Sequence, residues 1–412
     1  MSRIQRSIAA YRIRSPFSRV RYQSQKLLPL ELNCTGGANG IGAATVRLFA
    51  QRGALIVFGD LDATSGEQLA RKYDPKRVQF LKIDVTKYED NIALFRRALD
   101  SYGRVDHAFS IAGIVEQGNI FDPAMSLEDV AKVQRRPLHI ASKEITRAPS
   151  GRIKLITTPQ PPASTVLDVN LLGPLYFARI AAAYLHHNKK LEEDKSIVLL
   201  SSVAGFIDSP GLFAYGVRTS SLCSLQPARI RRHTRLLLTL AANDKVSKHG
   251  LLGLLRCLRT YLPSAFGIRI NAVAPLATTT ALLPSAVTKG FKDHGFPLNT
   301  PEQVADVVLG LVAGSHKVGE DAAVALGQDN KGERCNGLTV YVEGGRGWEV
   351  EEGLNATRDQ WLGKGPNERL MNAVAWLASV SMHLYNIRCL VCDLHPVTLL
   401  WQPVSGWTIG YY

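Results

Sequence analysis

The sequence contains no run of about 18 consecutive apolar residues, so no transmembrane helix and no membrane partner are predicted. It is poor in cysteine: six residues, at 34, 223, 257, 335, 389 and 392, are scattered without the spacing of a disulfide framework. That usage fits a reducing compartment. Cys389 and Cys392 form a CxxC with His395 nearby. One such pair without a second is a weak zinc or redox signal, and it is read as two incidental thiols, with no metal site expected. Internal repeats are absent, as is any nucleic-acid-binding motif.

Charge of one sign is present in excess, yet it is not spread over the chain. The net charge of +14 would ordinarily point to an anionic partner such as nucleic acid. Residues 1–30 carry seven Arg/Lys and no acid, while 133–160 and 218–245 each carry six basic residues and one acid. These segments contribute +7, +5 and +5, leaving about −3 for everything else. The excess therefore belongs to three separate stretches and not to one folded face, and nucleic-acid binding is not expected.

From residue 35 onward, short apolar runs alternate with helical patterns, the arrangement of a parallel sheet covered on both sides. The expected strands are Ala54–Gly59, Val78–Ile83, His107–Ser110, Ser196–Leu200, Ile268–Val273 and Leu338–Val342. Most are apolar at both parities, as strands buried on two faces are. Helices are expected over Gly42–Arg52 and Thr165–Leu185, and another opens at Thr300-Pro301-Glu302-Gln303, with threonine as N-cap and proline in the first turn. The fold class is therefore α/β, a doubly wound, Rossmann-like parallel sheet. Its first strand is the weak point, because Pro29 cannot donate to a ladder and the strand must begin after it. The chain divides into a basic extension, 1–30, an oxidoreductase-like domain, 31–376, and a C-terminal extension, 377–412.

Thr35-Gly36-Gly37-Ala38-Asn39-Gly40-Ile41-Gly42 follows the first strand and runs into a helix. Glycines let the backbone approach a pyrophosphate, and the helix start offers free N–H groups and a positive dipole end. A glycine pattern alone is weak, but the next strand ends in Asp60, where an acidic residue meets an adenosine ribose. A carboxylate there accepts from the ribose hydroxyls and repels a 2′-phosphate, favouring NAD over NADP.

With these residues in place the sequence resembles the short-chain dehydrogenase/reductase family, whose loop reads TGxxxGxG as residues 35–42 do. Asp84-Val85 resembles the family's adenine-contacting pair, and Ser110-Ile111-Ala112-Gly113 stands where Asn-Asn-Ala-Gly is usual. Asn170 matches the helix asparagine, Ser202 the catalytic serine, and Tyr215, thirteen residues on, the catalytic tyrosine. Asn271-Ala272-Val273-Ala274-Pro275, then Thr280, resembles the segment that closes over the nicotinamide. The resemblance implies hydride transfer at an alcohol or ketone carbon, with Tyr215 as base, Ser202 orienting the substrate and Asn170 supporting a proton path. A tyrosine with an ordinary pKa of about 10 needs its phenolate stabilised to work near neutral pH. A neighbouring lysine does this and also holds the ribose.

That lysine is displaced. The family pattern Tyr-x-x-x-Lys puts both side chains on one helix face, whereas Tyr215-Gly216-Val217-Arg218-Thr219 has threonine at the lysine position. Lys248, in Val246-Ser247-Lys248, lies downstream, and removing residues 217–245 restores Tyr215-Gly216-Val246-Ser247-Lys248. A second excess stretch, 133–160, lies between Gly113 and Asn170. Both begin at valine, whose codons start GT, and end at Gln160 or Lys245, whose codons can end AG. They are read as translated introns, of a length that suits a filamentous fungus; genuine surface insertions are the rival reading.

Residues 1–26, Arg-rich and acid-free, have the character of a mitochondrial transit peptide or of translated upstream sequence, and the cytoplasm is the default location. The segment Ala281–Asn299 contains Leu282, Leu283, Phe291 and Phe296, so a bulky apolar small-molecule substrate is expected. The resemblance extends to dehydrogenases of hydroxy-lipids and of fungal secondary metabolites, and implies a homo-dimer or homo-tetramer. The alternative is a cofactor-binding protein with little turnover, because Tyr215 and Lys248 are separated.

Overall fold

Eight strands form one sheet in the order β3-β2-β1-β4-β5-β6-β7-β8, parallel except for the last pair. The computed structural model describes residues 30–115, 163–187, 189–190, 193–207, 242–313, 335–374 and 376. The strands are β1 (Glu31–Thr35), β2 (Leu55–Asp60), β3 (Val78–Lys82), β4 (His107–Ser110), β5 (Lys195–Leu200), β6 (Ile268–Pro275), β7 (Thr339–Glu343) and β8 (Arg346–Glu349). The expected α/β doubly wound, Rossmann-like sheet is present. β1 does begin after Pro29, and the antiparallel β8, a short hairpin return through Gly344 and Gly345, is an addition to the expected set.

Helices cover both faces: α1 (Gly40–Gln51), α2 (Ala63–Ala70), α3 (Tyr88–Tyr102), α4 (Ala163–Leu167), α5 (Gly173–His186), α6 (Ala242–Phe266), α7 (Ser285–Asp293) and α8 (Pro301–Ala313). One apolar core, with Leu32, Phe49, Phe58, Phe109 and Val308, joins α1 and α8 to the sheet. The other, with Val57, Phe95, Phe177, Ile197 and Leu255, joins α3, α5 and α6 to the opposite face. The expected helix over 165–185 is interrupted by a π-helical turn, Asp168–Leu172, a distortion that tends to mark functional positions. By length and composition Thr165–His186 is also apolar enough to cross a membrane, with mean hydropathy 1.3. Its stretch is 56% buried, packed on α3, α6 and the central strands as a core helix is. The helix after Thr300 opens with the expected reciprocal cap: the Thr300 amide donates to Gln303 Oε1 (2.8 Å) and the Gln303 amide to Thr300 Oγ1 (3.3 Å).

At the N-terminal edge of the sheet, β1, β4 and β5 begin in a buried charge cluster. Lys195 Nζ donates to Asp106 Oδ1 (2.8 Å) and the Val105 carbonyl (3.0 Å), and lies 3.3 Å from Glu193. Asp106 Oδ2 accepts from Arg104 and from the Glu31 amide. Burial opposes ionisation of Asp106, but the Arg104 and Lys195 hydrogen bonds outweigh it and hold its pKa below the ordinary carboxylate value. Glu31 is pushed up to about 7, by burial first and the Asp106 carboxylate second. His107, fully enclosed with Nδ1 2.8 Å from Ser196 Oγ, is lowered to about 4 by burial.

Contacts group Met1–Glu351 as one compact unit and Glu352–Tyr412 as another. In the second, the short helix Arg358–Leu362 and the residues after it leave Trp361 and Trp376 exposed. The expected insertions, 133–160 and 217–245, lie outside the described residues except for the backbone of 242–245, which is already helical in α6. Residues 1–29, Tyr215 and the Cys389/Cys392 pair also lie outside them.

Candidate functional site

The sheet order reverses direction between β1 and β4, whose carboxyl ends open the crevice where such sheets hold ligands. Gly36 follows β1 there with φ of +70°, and a Cβ on it would lie 2.5 Å from Ala112 Cα. A Cβ on Gly42 would strike the Gly36 carbonyl oxygen. The loop therefore closes only because these positions are glycine. Asn39 is the N-cap of α1 but makes no side-chain cap; its Nδ2 turns to Asp62 Oδ2 at 3.0 Å. The opening amides of α1, at Gly40, Ile41 and Gly42, thus have no side-chain acceptor among the described residues, and the cradle fits a pyrophosphate. Thr35 Oγ1, buried at the head of the loop, has no hydrogen-bond partner among the described residues.

Asp60 closes β2 and reaches back to this loop, accepting the Ala38 amide at 3.0 Å. Its other oxygen accepts the Asp62 amide at 3.0 Å. Asp84 and Val85 follow β3: Asp84 Oδ1 accepts both the amide and the hydroxyl of Thr86, and the Val85 carbonyl accepts Asn91 Nδ2. Val85 also packs on Gly173, where an added Cβ would stand 3.2 Å from Val85 Cγ2.

Gly113 is where Asn170 and Lys248 meet. A Cβ there would lie 3.3 Å from Asn170 Oδ1 and 3.6 Å from Lys248 Nζ. Asn170, on the π turn and 1% exposed, brackets the next residue: Oδ1 accepts the Ile114 amide (2.9 Å) and Nδ2 donates to the Ile114 carbonyl (2.8 Å). Lys248 Nζ donates to the Leu200 carbonyl at the end of β5 (3.0 Å). Ser202 caps a 3₁₀ turn, Val203–Gly205, with Oγ accepting the Ala204 amide at 3.2 Å, which leaves its O–H to donate. Pro275 ends β6, and the segment beyond it returns to the glycine loop: Thr280 Cγ2 would be 3.1 Å from a Cβ on Gly40.

The structure thus joins Gly36 to Ala112, Gly40 to Thr280, Asp60 to the loop, and Gly113 to both Asn170 and Lys248. Sequence reasoning passed over Ser201, Ser247 and Asn299. Ser247 directly precedes Lys248, and that adjacency was the available signal. Asn299 carried none, since its role depends on a loop returning beside it.

Comparison with known proteins agrees with this geometry. A family model described as enoyl-(acyl carrier protein) reductase matches residues 36–141. The chain is 30% identical over 334 residues to the short-chain dehydrogenase/reductase prx4 of Penicillium rubens, covering 80% of this chain and 79% of that one. It is 27% identical to the short-chain dehydrogenase/reductase ascJ of Acremonium egyptiacum, covering 78% and 80%. The crystal structure of gox2181 shares the fold, with a TM-score of 0.51 at 22% identity, over 78% of this chain and 96% of that one. Strand order, glycine cradle and relatives converge: the chain belongs to the short-chain dehydrogenase/reductase family, oxidoreductases that use NAD(P).

Proposed function

We propose that the chain transfers a hydride between NAD and a bulky apolar secondary alcohol or ketone, as a tailoring step on a fungal terpenoid or polyketide. The observation that carries this reading is the convergence of Asn170 and Lys248 on Gly113, beside the glycine cradle. When bound, the nicotinamide ring supplies or accepts the hydride. Lys248 holds the ribose and supports the Tyr215 phenolate, Ser202 donates to the substrate oxygen, and Asn170 fixes Ile114 along the proton path. NAD is favoured over NADP because Asp60 and Asp62 both sit against the loop, and neither 35–42 nor 60–62 contains Lys or Arg. A 2′-phosphate would face two carboxylates. The apolar substrate follows from Ala281–Asn299, where Leu282 and Phe296 are more than half exposed and Phe291 packs edge-on to Phe296 at 5.6 Å. The fungal setting follows from the Penicillium and Acremonium relatives.

The test is NADH production from a panel of bulky secondary alcohols, by the full chain and by a form lacking 133–160 and 217–245. Turnover by either form with NAD, and not with NADP, is expected; no turnover by both forms would remove the dehydrogenase reading. A second reading, cofactor binding with little turnover, is favoured by the 32 residues between Tyr215 and Lys248. Its signature is NADH binding by the full chain, with activity confined to the shortened one.

A further inference from the structure

Two buried serines outside the assigned machinery hold the part of α6 that carries Lys248. Ser247 is 0% exposed, and its Oγ accepts Asn170 Nδ2 at 3.3 Å, so the residue before Lys248 is fastened to the π turn. Ser201, 3% exposed at the end of β5, donates from Oγ to the Lys248 carbonyl at 3.3 Å. Space for that second contact comes from Gly205, where a Cβ would lie 2.8 Å from the Lys248 oxygen and 2.9 Å from Ser201 Oγ. The Lys248 ammonium ends on the carbonyl of Leu200, one residue before Ser201. Backbone, preceding residue and charged head are therefore tied to two neighbouring elements, β5 and the π turn.

Such anchorage has a particular value in this chain. Where tyrosine and lysine are four residues apart, one helix face sets their separation. Here 32 residues intervene, so Lys248 cannot take its place from Tyr215 along a single helical turn. We propose that Ser247 and Ser201 are positioning residues that fix the Lys248 ammonium at Gly113, substituting for the helical spacing. The proposal rests on the reading of Lys248 as the cation that holds the cofactor ribose.

The test uses the full chain with Ser247→Ala, Ser201→Ala and, as a control, Ser196→Ala, which removes a buried serine on β5 bonded to His107. Competitive acetylation by acetic anhydride, read by mass spectrometry, gives the reactivity of Lys248 relative to the exposed Lys289. NADH affinity is read by fluorescence and the thermal midpoint separately. Loss of one neutral hydrogen bond predicts about a fivefold rise in relative Lys248 labelling and about a fivefold weaker NADH affinity. Ser196→Ala lowers the thermal midpoint without either change, and Ser201→Thr restores the parent's values. Parent-like Lys248 labelling in both alanine variants overturns the proposal, as does an equal rise in Ser196→Ala. Ser201→Ala decides the matter alone if Ser247→Ala fails to fold. A parent chain that does not bind NADH defeats the dehydrogenase reading, while the labelling still reports on the serines.

Discussion

The Ala38 amide donates to the Asp60 carboxylate at 3.0 Å, fastening the residue that ends β2 to the loop that ends β1. Asp60 therefore does two things at once, shaping the glycine cradle and placing negative charge beside it. Two substitutions separate these roles. Asp60→Asn keeps an acceptor for Ala38 and removes the charge, so the ratio of kcat/KM with NADP to that with NAD rises. Asp60→Ala removes both, so NAD affinity also falls, by about tenfold for one charge-assisted hydrogen bond. An unchanged cofactor ratio in Asp60→Asn would show that selectivity lies elsewhere.

Gly36 and Gly103 both adopt positive φ, +70° and +82°, but only Gly36 is enclosed. A Cβ on Gly103 meets nothing within 4 Å, whereas one on Gly36 meets Ala112 backbone at 2.5 Å. Gly103→Ala costs about 1 kcal/mol of backbone strain and leaves NADH binding intact. Gly36→Ala adds displacement of β4's exit and abolishes binding. Chemical denaturation and NADH titration on the two variants separate strain from site damage.

Asn299, fully buried, pins the segment that follows β6. Its Nδ2 donates to the Leu276 and Val342 carbonyls (3.3 and 2.9 Å), and its Oδ1 accepts the Gly345 amide at 3.0 Å. Thr280, at the end of that segment, abuts Gly40. Asn299→Ala leaves three backbone groups without this partner. The expected outcome is a loss of about 1–3 kcal/mol of stability and a raised KM for NAD, read by denaturation and steady-state kinetics.

Most of the framework was legible because each element was over-determined by its residues. β4 matched its expected bounds, His107–Ser110, since apolar residues there are flanked by turn signals. The α8 start was legible because Thr300 and Gln303 cap each other through side chains only three positions apart. The π turn at Asn170 was not, because i→i+5 bonding depends on what the asparagine reaches across the fold, here Ile114. Ser201 was likewise silent, since its partner is 47 positions away, and Ser247 showed only its adjacency to Lys248, its partner Asn170 being 77 positions away.

Glu31 makes stability depend on pH in an uncommon direction. Its carboxyl is raised from 4.5 to about 7, by burial first and by Asp106 second, so the folded chain holds the proton more tightly than the unfolded one. The stabilisation is complete below pH 4.5 and is lost as pH rises to about 7. Glu31→Gln stays neutral throughout and removes that loss. Its stability relative to the parent is expected to climb across this window, reaching a gain of roughly 2–3 kcal/mol near pH 8. Urea denaturation at pH 5 and pH 8 checks it, and equal differences at the two values would remove Glu31 as the titrating group.

Asn33 is the larger anomaly of β1. It lies mid-strand between Val57 and Ala108, 0% exposed, and neither its Oδ1 nor its Nδ2 has a hydrogen-bond partner among the described residues. Pro29 was the visible reason to doubt this strand, but the ladder begins at Glu31. The cost lies inside, where a central parallel strand calls for an apolar side chain on both faces. An amide buried without partners is destabilising by about 1–3 kcal/mol. Asn33→Val removes that penalty and suits the strand, so it is expected to raise stability by a similar amount while leaving NADH affinity unchanged. A fall in stability would mean that Asn33 is satisfied by a group outside the described residues, and that β1 is built around an amide and not burdened by one.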